Sequence, residues 1–151
     1  AASAVTRLLD LGTEPYLVSS SLVASLAQRL VRKLCDDCKR PRRGNRGGDS
    51  LPSVPRSLLE SHELEVSDLV GVFEPVGCDA CRGTGFRGRV GLFELLVLDD
   101  ACRELVQARS NASAIREVGL KSGMHLLSMD GLLKVHQGVT TLDEVLRVTT
   151  L

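Results

Sequence analysis

Two Cys-x-x-Cys pairs, Cys35-Asp36-Asp37-Cys38 and Cys78-Asp79-Ala80-Cys81, carry the side chains best suited to chemistry in this chain, and 39 residues intervene between them. Each pair can set two thiolates on one edge of a tetrahedron. Two such edges make the closed four-sulfur site that zinc adopts when its job is structural, with no position left for water or substrate. Catalysis at such a metal is therefore not expected. Two disulfides, or free or redox-active thiols, are the competing readings of the same four residues. Zinc with four thiolates is doubly negative, so the site needs cations or backbone N–H donors nearby. Arg32, Lys33, Lys39, Arg40 and Arg82 flank the pairs and are expected to supply some of that compensation.

The remaining reactive side chains read as structural. Cys102 shares an apolar helical face with Ala101, Leu105 and Val106, the setting of a small core residue rather than a reactive thiol. His62, His125 and His136 have no ligand spacing with one another. Gly83, Gly85 and Gly88 satisfy the Gly-x-Gly-x-x-Gly string of dinucleotide-binding turns. That motif needs a strand before it and a helix after it, whereas here a cysteine pair precedes and a strand is predicted to follow. No Gly-x-x-x-x-Gly-Lys-Ser/Thr phosphate loop occurs, so no machinery for nucleotide hydrolysis is visible within these residues.

The elements that must position the cysteines follow from periodicity. Leu22, Val23, Leu26, Ala27, Leu30, Val31 and Leu34 recur at helical steps, and the spacing predicts an amphipathic helix within Tyr16–Leu34 that delivers Cys35 at its end. Residues 39–56 combine prolines, glycines and positive charges without periodicity and read as a loop, followed by a short acidic helix over Ser57–Leu69 whose charge can attract the basic run. After the glycine turn 83–88, Arg89–Leu98 is rich in Val, Leu and Phe and predicts a strand. Four helices are expected beyond it. Asp99 or Asp100 caps the first, and Asn111 or Ser113 caps one that holds Ile115 and Val118 and closes near Gly123. The third, with Leu126, Leu127, Leu132, Leu133 and Val135, stops at Gly138; Thr140 caps the last, which buries Leu142, Val145 and Leu146.

At 151 residues and 43% hydrophobic positions the chain can bury a core, with room to split it into two lobes. Nineteen basic and nineteen acidic side chains cancel, and Tyr16, Phe73, Phe86 and Phe93 are too scattered to stack bases, so nucleic acid is a poor candidate partner. No apolar run approaches the roughly 20 residues of a membrane-spanning helix, which points to a soluble, intracellular chain. The opening in mid-pattern, without an initiator Met, reads as a piece of something larger.

Three segments carry a family resemblance: AVTRLLDLGTEPYLVSSSLVASLAQRLVRKLC with CDDC, then GCDACRGTGFRGRVGLFELLVLDD, and finally GMHLLSMDGLLKVHQGVTTLDEVLRVT. Together they resemble the carboxyl-terminal part of the GspE family of type II secretion ATPases, whose relatives include the type IV pilus assembly ATPases. Residues 39–76 fall outside the resemblance, and the Cys-x-x-Cys-x-Gly-x-Gly string at Cys78–Gly85 is shared with chaperone zinc modules as well.

The resemblance implies an α+β, mainly helical fold in which a tetracysteine zinc subdomain is inserted between a RecA-like-domain helix and a C-terminal helical subdomain. Residues 1–34 would be the last helices of the ATPase core, 35–90 the zinc subdomain with variable loop 39–76, and 91–151 a strand and helical subdomain. Cys35, Cys38, Cys78 and Cys81 match the family's metal ligands one by one, with one structural zinc per chain. ATP and magnesium belong to segments upstream of Ala1, so this piece is expected to be inactive and monomeric by itself. The parent is expected to be a homo-hexamer at the cytoplasmic side of the inner membrane, bound to GspF-like and GspL-like platform proteins and driving pseudopilus assembly. A chaperone-type zinc module and a thiol oxidoreductase are the alternatives of other classes. Relatives often carry proline after the first cysteine, where this chain has Asp36, an exchange that removes no ligand.

Overall fold

The computed structural model describes residues 1–41 and 73–149. The acidic helix expected over Ser57–Leu69, His62 and most of the 39–56 loop lie outside them. The described chain is a mixed α/β fold: α1 (Ala2–Asp10), α2 (Pro15–Ser21), β1 (Ala24–Leu34), β2 (Arg40–Pro41), β3 (Phe73–Glu74), a 3-10 turn (Asp79–Cys81), β4 (Phe86–Val97), α3 (Asp100–Gln107), α4 (Ala112–Lys121), α5 (Leu127–His136) and α6 (Leu142–Val148). β1 pairs with β4 and β2 with β3, each as a two-stranded sheet. Leu98 N–H donates to Val23 C=O at one end of the larger ladder and Cys35 N–H to Gly85 C=O at the other. The start of β1 thus lies against the end of β4.

The helix expected within Tyr16–Leu34 is two elements. Only Pro15–Ser21 is helical; at Leu22 the backbone turns extended, and Ala24–Leu34 is a strand. A helical stripe would bury all seven apolar residues together, yet Val23, Leu26 and Leu30 are 71%, 59% and 45% exposed while Val31 and Leu34 are buried. Pairing with the Val-, Leu- and Phe-rich β4 overrides the local periodicity, which for apolar runs of this kind does not separate helix from strand. It is therefore a strand that delivers Cys35.

The chain divides into two compact units. The first, Ala1–Gln28 with Phe93–Leu126, packs α1 against α2 and α4, and α3 against α2 and α4. Its core joins Val5, Leu9, Val18, Leu96, Leu98, Cys102, Val106 and Ile115. Asp99 caps α3 by accepting from Cys102 N–H at 2.9 Å, and Asn111 caps α4 by accepting from Ala114 N–H at 2.9 Å. Cys102 is the core residue its spacing predicts, and burial, with help from Asp99, pushes its thiol up to about 11. Ala101, expected to face inward, is exposed.

The second unit comprises Arg29–Leu92 and Leu127–Leu151. Val31, Leu92, Leu132, Val135, Leu142 and Val145 form its core. α5 lies on α6 closely enough that a β-carbon at Gly131 would sit 2.4 Å from a Val145 methyl. Leu133, one of the apolar residues that mark this helix in the sequence, is 41% exposed. The cap of α6 is Thr141, whose hydroxyl accepts from Glu144 N–H, not Thr140. Thr140 is instead fully buried and donates its hydroxyl to Arg32 C=O at 2.8 Å. Together with Leu34 N–H to Val139 C=O at 2.9 Å, this covers part of the β1 backbone that would otherwise need another partner.

Candidate metal centre

The end of β1 supplies Cys35, and a tight turn brings Cys38 back: Cys38 N–H and Lys39 N–H both donate to Cys35 C=O. Cys78 and Cys81 flank the 3-10 turn just before β4, with the same pattern of Cys81 N–H to Cys78 C=O. Because β1 and β4 are paired, the two turns meet. The four sulfurs all lie within 4.8 Å of one another, with Cys35 and Cys81 buried.

Individual separations are 3.9 Å for Cys35–Cys78, 3.8 Å for Cys38–Cys81 and 3.8 Å for Cys78–Cys81. Sulfurs at about 2.3 Å from a tetrahedral zinc are about 3.8 Å apart, whereas a disulfide brings them to about 2.05 Å. The cluster has the size of a metal cage and not of two disulfides. The expected donors are also present: Gly77 N–H points at Cys38 Sγ (3.3 Å), and Cys78 N–H and Gly85 N–H both point at Cys81 Sγ (3.2 Å each). Burial would push the Cys81 thiol up, but these two N–H groups and the neighbouring thiols of Cys78 and Cys38 outweigh it and hold it down at about 6. Cys38 moves the other way, to about 11, chiefly through burial. Two of these donors depend on glycine. Gly77 and Gly85 have φ of +107° and +74°, and a β-carbon on either would come within 2.5 Å of Gly83 C=O or of Pro75. The geometry and donor set fit a closed structural metal site.

Three of the flanking cations, Lys33, Lys39 and Arg32, are engaged in specific pairs. Lys33 and Lys39 both bind Asp36 at 2.8 Å, inside the first Cys-x-x-Cys, and hold its carboxyl down at about 2. Arg32 binds Glu144 at 2.9 Å and lies over the Phe86 ring at 4.2 Å. Gly83 and Gly85 lie between the 3-10 turn and β4 and Gly88 lies within β4, a setting that does not suit a dinucleotide turn. Glu144, buried and bound by two arginines, and Phe73, against Gly138, were not singled out by the sequence; neither belongs to a motif that would have marked it.

These features define an α/β chain whose four clustered cysteines could hold a metal ion, with no helix among its described residues long and apolar enough to cross a membrane. The model of the family described as Type II/IV secretion system protein matches residues 1–147. The chain is 44% identical over 149 residues to the type II secretion system protein E of Aeromonas hydrophila, covering 99% of this chain and 28% of that protein. It is also 44% identical over 149 residues to the type II secretion system ATPase E of Vibrio cholerae, again over 99% of this chain, and 27% of that one. To the type IV pilus assembly ATPase PilB of Thermus thermophilus it is 41% identical over 150 residues, 99% of this chain and 16% of that protein. The chain belongs to the type II/IV secretion system protein family. It spans about a quarter or less of the length of these relatives.

Proposed function

We propose that Cys35, Cys38, Cys78 and Cys81 hold one structural zinc ion, and that this chain is the zinc-binding and helical region of an ATPase that powers type II secretion or type IV pilus assembly. The observation that carries the zinc reading is the near-tetrahedral spacing of the four sulfurs with N–H donors aimed at two of them. The ion closes the segment between residues 38 and 78, and its binding free energy becomes folding free energy for the knuckle. It leaves no open coordination position, so its role is to hold shape. ATP and magnesium chemistry belongs to the rest of the longer protein, with residues 1–34 as the end of its RecA-like core.

A second support is the outer side of β4. Phe93, Leu95 and Val97 are 41%, 49% and 53% exposed, alternating with buried Leu92, Glu94 and Leu96. A strand apolar on both faces is typical of a sheet covered on both sides. The occupant we assign to the outer face is another segment of the same longer polypeptide, which in relatives is several times the length of this chain. Hexamer formation and docking on inner-membrane platform proteins, with residues 39–76 carried on the metal-rigidified stem, complete the proposal.

The deciding experiment measures metal per chain and hydrogen exchange before and after chelation. One zinc per chain, with protection lost around both cysteine pairs on its removal, supports the structural site. Metal-free protein with disulfides overturns it. Deleting Arg42–Pro55 from the full-length protein tests the platform contact, and unchanged platform binding would count against it.

A further inference from the structure

Lys39 stands where the cysteine knuckle meets the carboxyl end of α5. Its ammonium binds Asp36 Oδ1 at 2.8 Å, donates to Gly138 C=O at 3.0 Å and lies 5.2 Å from the centre of the Phe73 ring. Gly138 closes α5 in a left-handed conformation, φ +67°, with Gly138 N–H on Val135 C=O and Val139 N–H on Lys134 C=O. The pattern is that of a helix terminated by glycine, whose carbonyl end favours a cation. The Phe73 ring covers the glycine so closely that a β-carbon there would sit 2.4 Å from the ring. Lys39 and Phe73 each lie within a few residues of a cysteine pair, Lys39 directly after Cys38, and β2 and β3 join them through only two residue pairs, Arg40 with Glu74 and Pro41 with Phe73. So short a ribbon does not hold itself.

We propose that Lys39 is a coupling residue through which the metal state of the four cysteines sets the order of the turn Gly138–Thr140 and, with it, the end of α5. Metal loss frees the ribbon, and the ribbon takes with it the cation and the ring that seal the glycine turn. The adjoining contacts, Val139 C=O on Leu34 N–H and the Thr140 hydroxyl on Arg32 C=O, then lose their support from that side. The inference rests on the zinc reading above.

The test is hydrogen exchange at single-residue resolution on the 151-residue chain, zinc-loaded and chelated, for the wild type, Lys39→Met and Lys39→Arg, each checked for zinc content. In the wild type, chelation is expected to speed exchange of Gly138 and Val139 N–H about tenfold, along with that of Cys78 to Gly85. Zinc-loaded Lys39→Met should retain its metal yet show the faster exchange at Gly138 and Val139 only, with chelation adding little there. Lys39→Arg should restore most of the protection. Acceleration confined to residues 78–85, or a Lys39→Met chain that exchanges like wild type at Val139, overturns the coupling while leaving the zinc site intact. A wild type that holds no metal removes the zinc reading itself, and the coupling with it.

Discussion

The Glu144 carboxylate receives both the backbone N–H of Arg32, at 2.9 Å, and the Arg32 guanidinium, at 2.9 Å, so one side chain of α6 grips both the main chain and the side chain of one β1 residue. Arg147 adds a contact at 3.0 Å, and Glu144 itself is only 2% exposed. A buried carboxylate is tolerable only when its acceptor capacity is used, and here backbone and two guanidinium groups use it. Glu144 therefore reads as a fastener of the second unit.

Glu144→Gln is expected to destabilise the chain by about 2 kcal/mol, the scale of a lost charge-assisted hydrogen bond, as measured by urea unfolding at neutral pH. Burial pushes this carboxyl up, but Arg32 and Arg147 outweigh it and hold it at about 2, against an ordinary value of 4.5. A depressed carboxyl stabilises the fold above its ordinary value and loses that contribution as pH falls toward its folded value. The stability gap between wild type and Glu144→Gln should accordingly be full above about pH 5 and close progressively toward pH 2. A gap that stays constant over that range would show that the charge is not what binds.

Serine at any one of Cys35, Cys38, Cys78 or Cys81 should abolish stoichiometric zinc binding. With free zinc a thousandfold above its dissociation constant, the lost stabilisation is about 4 kcal/mol. Cys102→Ser is the control: it should keep the metal and lose about 1–3 kcal/mol, because it buries a hydroxyl among apolar neighbours. Metal analysis together with thermal melts separates the two classes.

Gly85→Ala should weaken zinc binding about 10- to 100-fold, as loss of an outer-shell donor does. The alanine would be strained at φ +74° and would meet the Pro75 backbone at 2.8 Å, which moves the N–H now aimed at Cys81. Competition with a chromophoric chelator reads this directly.

Gly131→Ala should destabilise by about 1–3 kcal/mol despite the better helix propensity of alanine, since its methyl meets both Val145 methyls, at 2.4 and 3.0 Å. Adding Val145→Ala should restore at least 0.5 kcal/mol relative to additivity, the range seen for residues in contact. The same substitution at Gly119 meets only side-chain ends, the nearest a Leu96 methyl at 2.6 Å, and should cost less.

The two Cys-x-x-Cys pairs were legible because their spacing is short and local, while the pairing of β1 with β4 is what brings the four sulfurs together. The helices after Asp99 were legible because their caps and apolar stripes are local too: Asp99 and Asn111 sit at the expected caps. The strand Ala24–Leu34 was not, since its partner lies some sixty residues away and its apolar positions satisfy a helical period equally well. Thr140 has a hydroxyl of the right type for a cap, but it donates to Arg32 C=O, and the neighbouring Thr141 does the capping. Glu144 carried no local sign of burial at all. Its environment is made by Arg32, which is remote in sequence.

Pro41 and Phe73 are register partners at the far end of the small ribbon. Whatever the polypeptide carries between them must therefore leave and return at one place, side by side. An exchange in that interval, whether a few residues or a whole foreign domain, imposes no new distance on the rest of the chain, since both attachment points are already held together. The ribbon is thus a graft point. A fluorescent or affinity module inserted there should leave the pairing of β1 with β4 intact.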